Sequence, residues 1–228
     1  MMAEINKALG ELEKNEDVRC VVITGAGANF CGGADFAAFA SGEADAAIAF
    51  SEAPHEVFTR IETYAKPVVA AINGPAMGGG LELALACDIR IMNKAAIVRL
   101  PELTLGMFPG AGATQRLGRL IGWARAKEMI LLTDPVDAGK ALSWGLVHFT
   151  AEPKEFSKLV DETAAKLAAG APLALKYTKA LFYYGAQADQ RTALYLEGAL
   201  SGDVGMSKDL NEGITAMNSR RPPKFTGK

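Results

Sequence analysis

No stretch of this chain reaches the roughly 18 uninterrupted apolar residues that a membrane-spanning helix requires; polar residues or glycines break every apolar run. Cysteine is scarce. Cys20, Cys31 and Cys87 stand far apart, with no Cys-x-x-Cys pair, which argues against a zinc site or a disulfide framework and fits a reducing compartment. Neither sign of charge dominates: Lys and Arg number 24 against 26 Asp and Glu, a formal net charge of -2. Nothing electrostatic therefore recommends nucleic acid or an anionic membrane as the main partner. The two histidines, His55 and His148, lie in no recognisable catalytic or metal-binding pattern, and no metal site is expected. Low-complexity tracts and clear repeats are absent as well. The opening "MMAEINKALGELEKNED" is amphipathic and acidic, unlike a secretory or transit peptide, so a cytoplasmic location is expected.

What is present suits a soluble globular protein. The 228 residues are half hydrophobic and 22% charged, enough for one sizeable core and a smaller appendage. Apolar residues at Ile5, Leu9 and Leu12 recur at helical spacing over 3–14. The β-branched run "VRCVVITG" (18–25), "KPVVAAING" (66–74) and "CDIRIMN" (87–93) read as buried strands. A glycine-rich loop (26–43) and a helix at about 44–63 separate the first two, and a glycine-led helix separates the second and third. This alternation predicts an α/β layer architecture. From 114 onward the pattern turns helical, with further helices at about 153–169, 172–185, 188–201 and 206–218. The expected division is an α/β core over 1–150 that holds the active site, then a helical region over 151–228. Pro222-Pro223 stops any helix before the end.

The chemistry concentrates in "NGPAMGGGLELALACD" (73–88). Three and four positions from Glu82 stand Gly78, Gly79, Leu85 and Ala86, none able to pair with a carboxylate. If that face is buried, desolvation raises the acid's pKa; if it faces solvent, Glu82 is a first-turn acid favoured by the helix dipole. The glycines serve either close helix–strand packing or access to unpaired N–H groups at a helix start. A donor at Gly79 with an acid just along the helix would form an oxyanion hole beside a proton-transfer group. A second isolated acid, Glu102, sits in "RLPELTLGMFPGAGATQRLG" (99–118). It is either a surface carboxylate or the partner of Glu82 in general acid–base catalysis, if their surroundings separate the two pKa values. In "ITGAGANFCGGAD" (23–35) the dinucleotide fingerprint fails at its third glycine, where Phe30 stands, and no Gly-Lys-Ser/Thr follows for a phosphate loop. Gly32-Gly33-Ala34-Asp35 offers instead a second exposed N–H opposite Gly79, or a plain turn in which Asp35 bonds its own backbone.

In order along the chain, "VVITGAGANFCGGADF", "KPVVAAINGPAMGGGLELALACDIRI", "LPELTLGMFPGAGATQRL" and "AGKALSWGLV" resemble the crotonase (enoyl-CoA hydratase/isomerase) superfamily, and within it the hydratases. The resemblance covers nearly the whole chain and extends to the "RRPPKFTGK" tail. It implies a spiral of strand–strand–helix units with C-terminal helices that assemble trimers and often hexamers. The substrate it implies is a coenzyme A thioester, with no separate cofactor. Matched motif by motif, Ala34 and Gly79 supply the oxyanion-hole N–H groups, Glu82 and Glu102 the two catalytic acids, and Gly33, Asp35, Gly78, Pro101 and Gly110 line the bound substrate. Glu82 is expected to be the base and Glu102 the acid. The acyl pocket is expected to draw on Phe39 to Phe58 and on Met107-Phe108, with the acyl preference itself not legible.

Departures from the pattern matter as much. Phe36 and Ala37 follow Gly-Ala-Asp where the family often has Leu or Ile and then Lys or Arg, so Ala37 offers no cation to a coenzyme phosphate. Val98-Arg99 precedes Pro101 where Phe-Gly is usual. Arg99 either points to solvent or pairs with Glu102 and lowers its pKa. The strand hairpin that usually opens the family's fold is expected to be missing, leaving an exposed sheet edge. Three other readings stay open: double-bond isomerisation in the same fold, a catalytically silent and RNA-binding member using the "SRRPPK" cluster, and a nicotinamide dehydrogenase, weakened by the failed fingerprint.

Overall fold

The computed structural model describes residues 1–35 and 44–228, with backbone alone for 44–51. The chain opens with α1 (Met2–Lys14), whose Leu9 is buried against the core. Lys66 closes its C-terminal end by donating from Nζ to the Leu12 and Asn15 carbonyls at 2.6 and 2.7 Å, where a cation also meets the negative end of the helix dipole. Then come β1 (Val21–Thr24), α2 (Ala44–Thr63), β2 (Val68–Ile72), β3 (Ala76–Met77), α3 (Gly79–Ala86), β4 (Ile89–Asn93) and β5 (Ile97–Arg99). A 3-10 turn at Glu102–Leu105 leads to α4 (Ala113–Ile121), α5 (Trp123–Leu132), β6 (Val136–Asp137), α6 (Ala138–Trp144) and β7 (Phe149–Ala151). Four helices end the chain: α7 (Phe156–Ala168), α8 (Pro172–Gly185), α9 (Gln190–Gly205) and α10 (Lys208–Asn218).

Two sheets organise the described residues. The larger is parallel throughout, in the order β1-β2-β4-β7, and the smaller runs β3-β5-β6. All five residues of β2 are buried, as the centre of a parallel sheet covered on both faces requires. One face packs into the main core with Phe58, Ile61, Leu81 and Leu117. The other presents Val69 and Ile91 to Phe156 and Val160 of α7. This is the expected α/β architecture. β7 spans residue 150, so the expected core boundary falls within a strand of the main sheet.

The strands are shorter than the apolar runs suggested, and α9 runs further than its expected end, through Gly202 to Gly205. The tail is pinned back onto the last helix: Asp209 accepts from Thr226 N and Gly227 N at 2.6 and 2.8 Å. Arg221 of the basic cluster is paired with Glu212 at 2.6 Å.

Candidate active site

Two loops meet where the small sheet begins. Met77 N donates to the Cys31 carbonyl at 2.9 Å, and Phe30 N and Cys31 N both reach the Pro75 carbonyl. Asn73 ties the same loop to the end of β2: its Oδ1 accepts from Gly25 N at 2.9 Å and its Nδ2 donates to the Gly27 carbonyl at 3.1 Å. The contact leaves no spare room, because a Cβ at Gly33 would stand 2.6 Å from Met77 O and 3.2 Å from Gly79 N. Ala34 and Gly79, one from each loop, are thereby brought together. Among the described residues no carbonyl takes the N–H of either one, and both are half-buried. Gly79 opens α3, so its N–H lies at the positive end of that helix.

Gly78 connects this corner to the second acid. Its N–H donates to the Arg99 carbonyl at 2.9 Å, continuing the β3–β5 pairing. Three residues on from Arg99, past Leu100 and Pro101, comes Glu102. The Gly78 φ of +52° is one that a side chain resists, and a Cβ there would meet Glu102 Oε1 at 2.8 Å. Glycine at 78 is thus what lets the Glu102 carboxyl reach the start of α3. Pro101 caps the 3-10 turn, its carbonyl accepting from Thr104 N at 2.9 Å.

Both acids are buried, Glu82 to 2% and Glu102 to 7% residual exposure, which removes the solvent-facing alternative for each. Their partners differ. Glu82 Oε1 accepts two backbone bonds, from Ala111 N at 2.8 Å and Ala113 N at 3.0 Å, at the start of α4. Glu102 Oε2 is buried with no hydrogen-bond partner among the described residues. Burial pushes the Glu82 carboxyl above the ordinary range, while the Ala113 and Ala111 N–H groups, Arg116 and His55 pull it back. Burial likewise raises Glu102; its own backbone N–H opposes that rise and the charge of Glu82 adds to it. Burial thus raises both carboxyls, and backbone donors from the 111–113 turn oppose the rise at Glu82.

Gly110 lies in the turn just before Ala111, and Asp35 is exposed at the end of the described loop. Arg99 takes neither expected course: it is half-buried and donates from Nε to the Thr133 carbonyl at 2.5 Å, so it neither faces bulk solvent nor pairs with Glu102. Of the expected acyl-pocket wall, Phe58 is sealed in the core, Phe108 is 70% exposed and Phe39 lies outside the described residues; so do Phe36 and Ala37, the departures after Gly-Ala-Asp. His148 serves structure, its Nδ1 accepting from Arg90 N at 3.2 Å. Surface clefts of about 200 and 410 Å³ open beside Arg19 and Lys66 and beside Lys208 and Arg221, and none of the site residues lines either.

Sequence reasoning missed the turn at Ala111–Ala113 that holds Glu82, and it missed Asn73, Arg116 and Glu62. Backbone donors carry no side-chain signature. Asn73 and Arg116 both stand inside the quoted motifs, but only the fold shows what they touch.

Comparison with known proteins bears on the whole chain. The enoyl-CoA hydratase/isomerase family model matches residues 1–228. The short-chain-enoyl-CoA hydratase of Clostridium acetobutylicum is 38% identical over 96% of this chain and 85% of its own length. The crotonyl-CoA hydratase of Syntrophomonas wolfei is 36% identical over 100% of this chain and 88% of its own. Among solved structures, the enoyl-CoA hydratase from Bacillus anthracis superposes with a TM-score of 0.95 at 37% identity, covering 100% of this chain and 88% of that one.

Proposed function

The chain belongs to the enoyl-CoA hydratase/isomerase family, and from that premise we propose that it adds water to a 2-enoyl-CoA thioester to give the 3-hydroxyacyl-CoA. The thioester oxygen accepts from the N–H groups of Ala34 and Gly79. The Glu82 carboxylate removes a proton from water as the water oxygen bonds to Cβ. The double-bond electrons shift toward Cα and the thioester oxygen, whose growing negative charge faces the two donors and the positive end of α3. Glu102 then delivers its proton to Cα, and proton exchange returns each carboxyl to its starting state. Losing one such oxyanion donor costs about 3 kcal/mol of barrier. The reaction draws on water and the chain's own groups alone.

The observation that carries this reading is the unequal setting of two buried carboxyls: Glu82 Oε1 accepts from two N–H groups, while Glu102 Oε2 has no hydrogen-bond partner among the described residues. Pairs of acids whose surroundings push them apart mark division of acid and base roles. Isomerisation would use a single acid to carry a proton between carbons, and would leave the second without a task.

Loss of the conjugated-thioester absorbance of crotonyl-CoA measures hydration directly. Glu82→Gln and Glu102→Gln are each expected to lose activity by about 10²–10⁴-fold. Full rate in either variant would end the two-acid mechanism. A parent protein that shifts the double bond of a 3-enoyl-CoA but hydrates nothing would instead establish the isomerase.

We also propose assembly into a homotrimer or homohexamer through the C-terminal helices. Helix α9 has no buried residue, and Phe182, Tyr195 and Met206 are 75%, 77% and 82% exposed. Apolar surface of that extent is what a subunit contact covers.

A further inference from the structure

The groups that hold Glu82 are themselves held. Arg116, on the first turns of α4, donates from Nη1 to the Ala111 carbonyl at 2.9 Å and from Nη2 to Glu62 Oε2 of α2 at 2.7 Å. Ala111 is the residue whose N–H binds Glu82 from the other side of the same backbone unit. Among the described residues the guanidinium makes no hydrogen bond to the Glu82 carboxyl, yet it grips the peptide segment that does. Gly112, between the two donor residues, has φ +112°, and a Cβ there would fall 1.9 Å from Arg116 Nη1. The turn is built around the arginine. Both members of the ion pair are largely withdrawn from water, with side-chain exposures of 15% and 24%, so the forked geometry is weakly screened.

We propose that Arg116, anchored by Glu62, is a positioning residue for the reaction, holding the 111–113 turn so that its two N–H groups orient the Glu82 carboxylate. This rests on the reading of Glu82 as the base. A plain helix-to-helix tie between α2 and α4 would need only the Glu62 contact; the second arm of the fork, spent on Ala111, is what such a tie leaves unexplained. The charges facing Glu82 come from three elements: Arg116 on α4, His55 on α2 and Glu102 on the 3-10 turn. Arg116 is a cation and stabilises the ionised form. Its removal raises the Glu82 pKa, and a base with a raised pKa is lost at higher pH.

The test uses the full chain and the variants Arg116→Met, Arg116→Lys, Glu62→Gln and Glu62→Gln/Arg116→Met. Arg116→Met is expected to lower kcat for crotonyl-CoA hydration about 10–100-fold, the scale on which small misplacements of reacting groups act, with KM within about twofold. The acid limb of its kcat/KM profile moves to higher pH. Arg116→Lys, which keeps the charge but not the fork, recovers part of kcat. The double variant is no worse than Arg116→Met, because Glu62 acts through Arg116. Loss of thermal stability with an unchanged kcat and pH profile, or additive losses in the double variant, would overturn the proposal.

A second readout needs no turnover. Carboxyl infrared difference spectra against Glu82→Gln give the pH at which Glu82 protonates in the free protein. That pH is expected to rise in Arg116→Met, and an unmoved value overturns the proposal. A parent that fails to hydrate crotonyl-CoA would refute the hydratase reading, and the infrared titration would still decide the role of Arg116.

Discussion

Glu102 shows how a buried acid burdens the fold. Its Oε2 is buried with no hydrogen-bond partner among the described residues, and its pKa is raised, first by burial. The folded protein therefore holds this proton to higher pH than the unfolded chain does. Stability linked to that proton is fully present below the unfolded pKa and is lost as pH rises through the folded value. Glu102→Gln never carries the charge. At pH 8 it is expected to be more stable than the parent by on the order of 1 kcal/mol, a rise in Tm of about 2–4 °C. The gain should shrink as pH falls and the parent carboxyl takes up its proton. Thermal melts across that range check the sign, and equal melting at pH 8 would remove the argument. Such a trade of stability for activity is common at reacting sites. At this scale the sequence was informative about identity and silent about partners: an isolated glutamate in an apolar run is visible, whereas the Ala111 and Ala113 N–H groups that receive it lie far along the chain.

Among the elements, α8 decides how the helical end of the chain sits on the core. Lys179 projects from it into the interior at 9% exposure and donates to Asp88 Oδ2 at 2.6 Å, with further contacts to the Ile61 and Lys66 carbonyls. Asp88 also accepts from Val68 N at 2.7 Å, so the pair reaches the start of β2. Removing one member of a buried pair strands the other. Lys179→Met is expected to cost about 3 kcal/mol and to lower Tm by roughly 6–12 °C. Adding Asp88→Asn should recover part of that loss, which calorimetry of the single and double variants would measure. The elements themselves were legible where the pattern was long. β1, β2 and β4 lie inside the expected strands, shorter at their ends. β3, β5 and β6 run only two or three residues, too short for any alternation to register. Helix α9 continues past Gly198 and Gly202, since isolated glycines lower helix stability without forbidding it.

For the molecule as a whole, the exposed apolar side chains of α8 and α9 predict a subunit contact, and the family resemblance supplies the stoichiometry to expect. Light scattering coupled to size exclusion should find a trimer or hexamer, and Phe182→Lys with Tyr195→Lys should reduce it to smaller species. A monomeric parent would refute the assembly. At this scale the four ordered motifs outweighed any composition argument, because composition describes a globular chain and nothing narrower.

Local pattern and the ordered motifs determined, without coordinates, the α/β class, the family resemblance and the two acids to suspect. Each of these depends on residues near one another in sequence, or on signatures that survive as strings. Tertiary structure alone decided that Ala34 and Gly79 meet, that Gly78 makes room for Glu102, and that Arg116 grips the turn binding Glu82. Those contacts join segments distant in sequence, and they exist because burial of the two sheets forces the loops at their ends into one place.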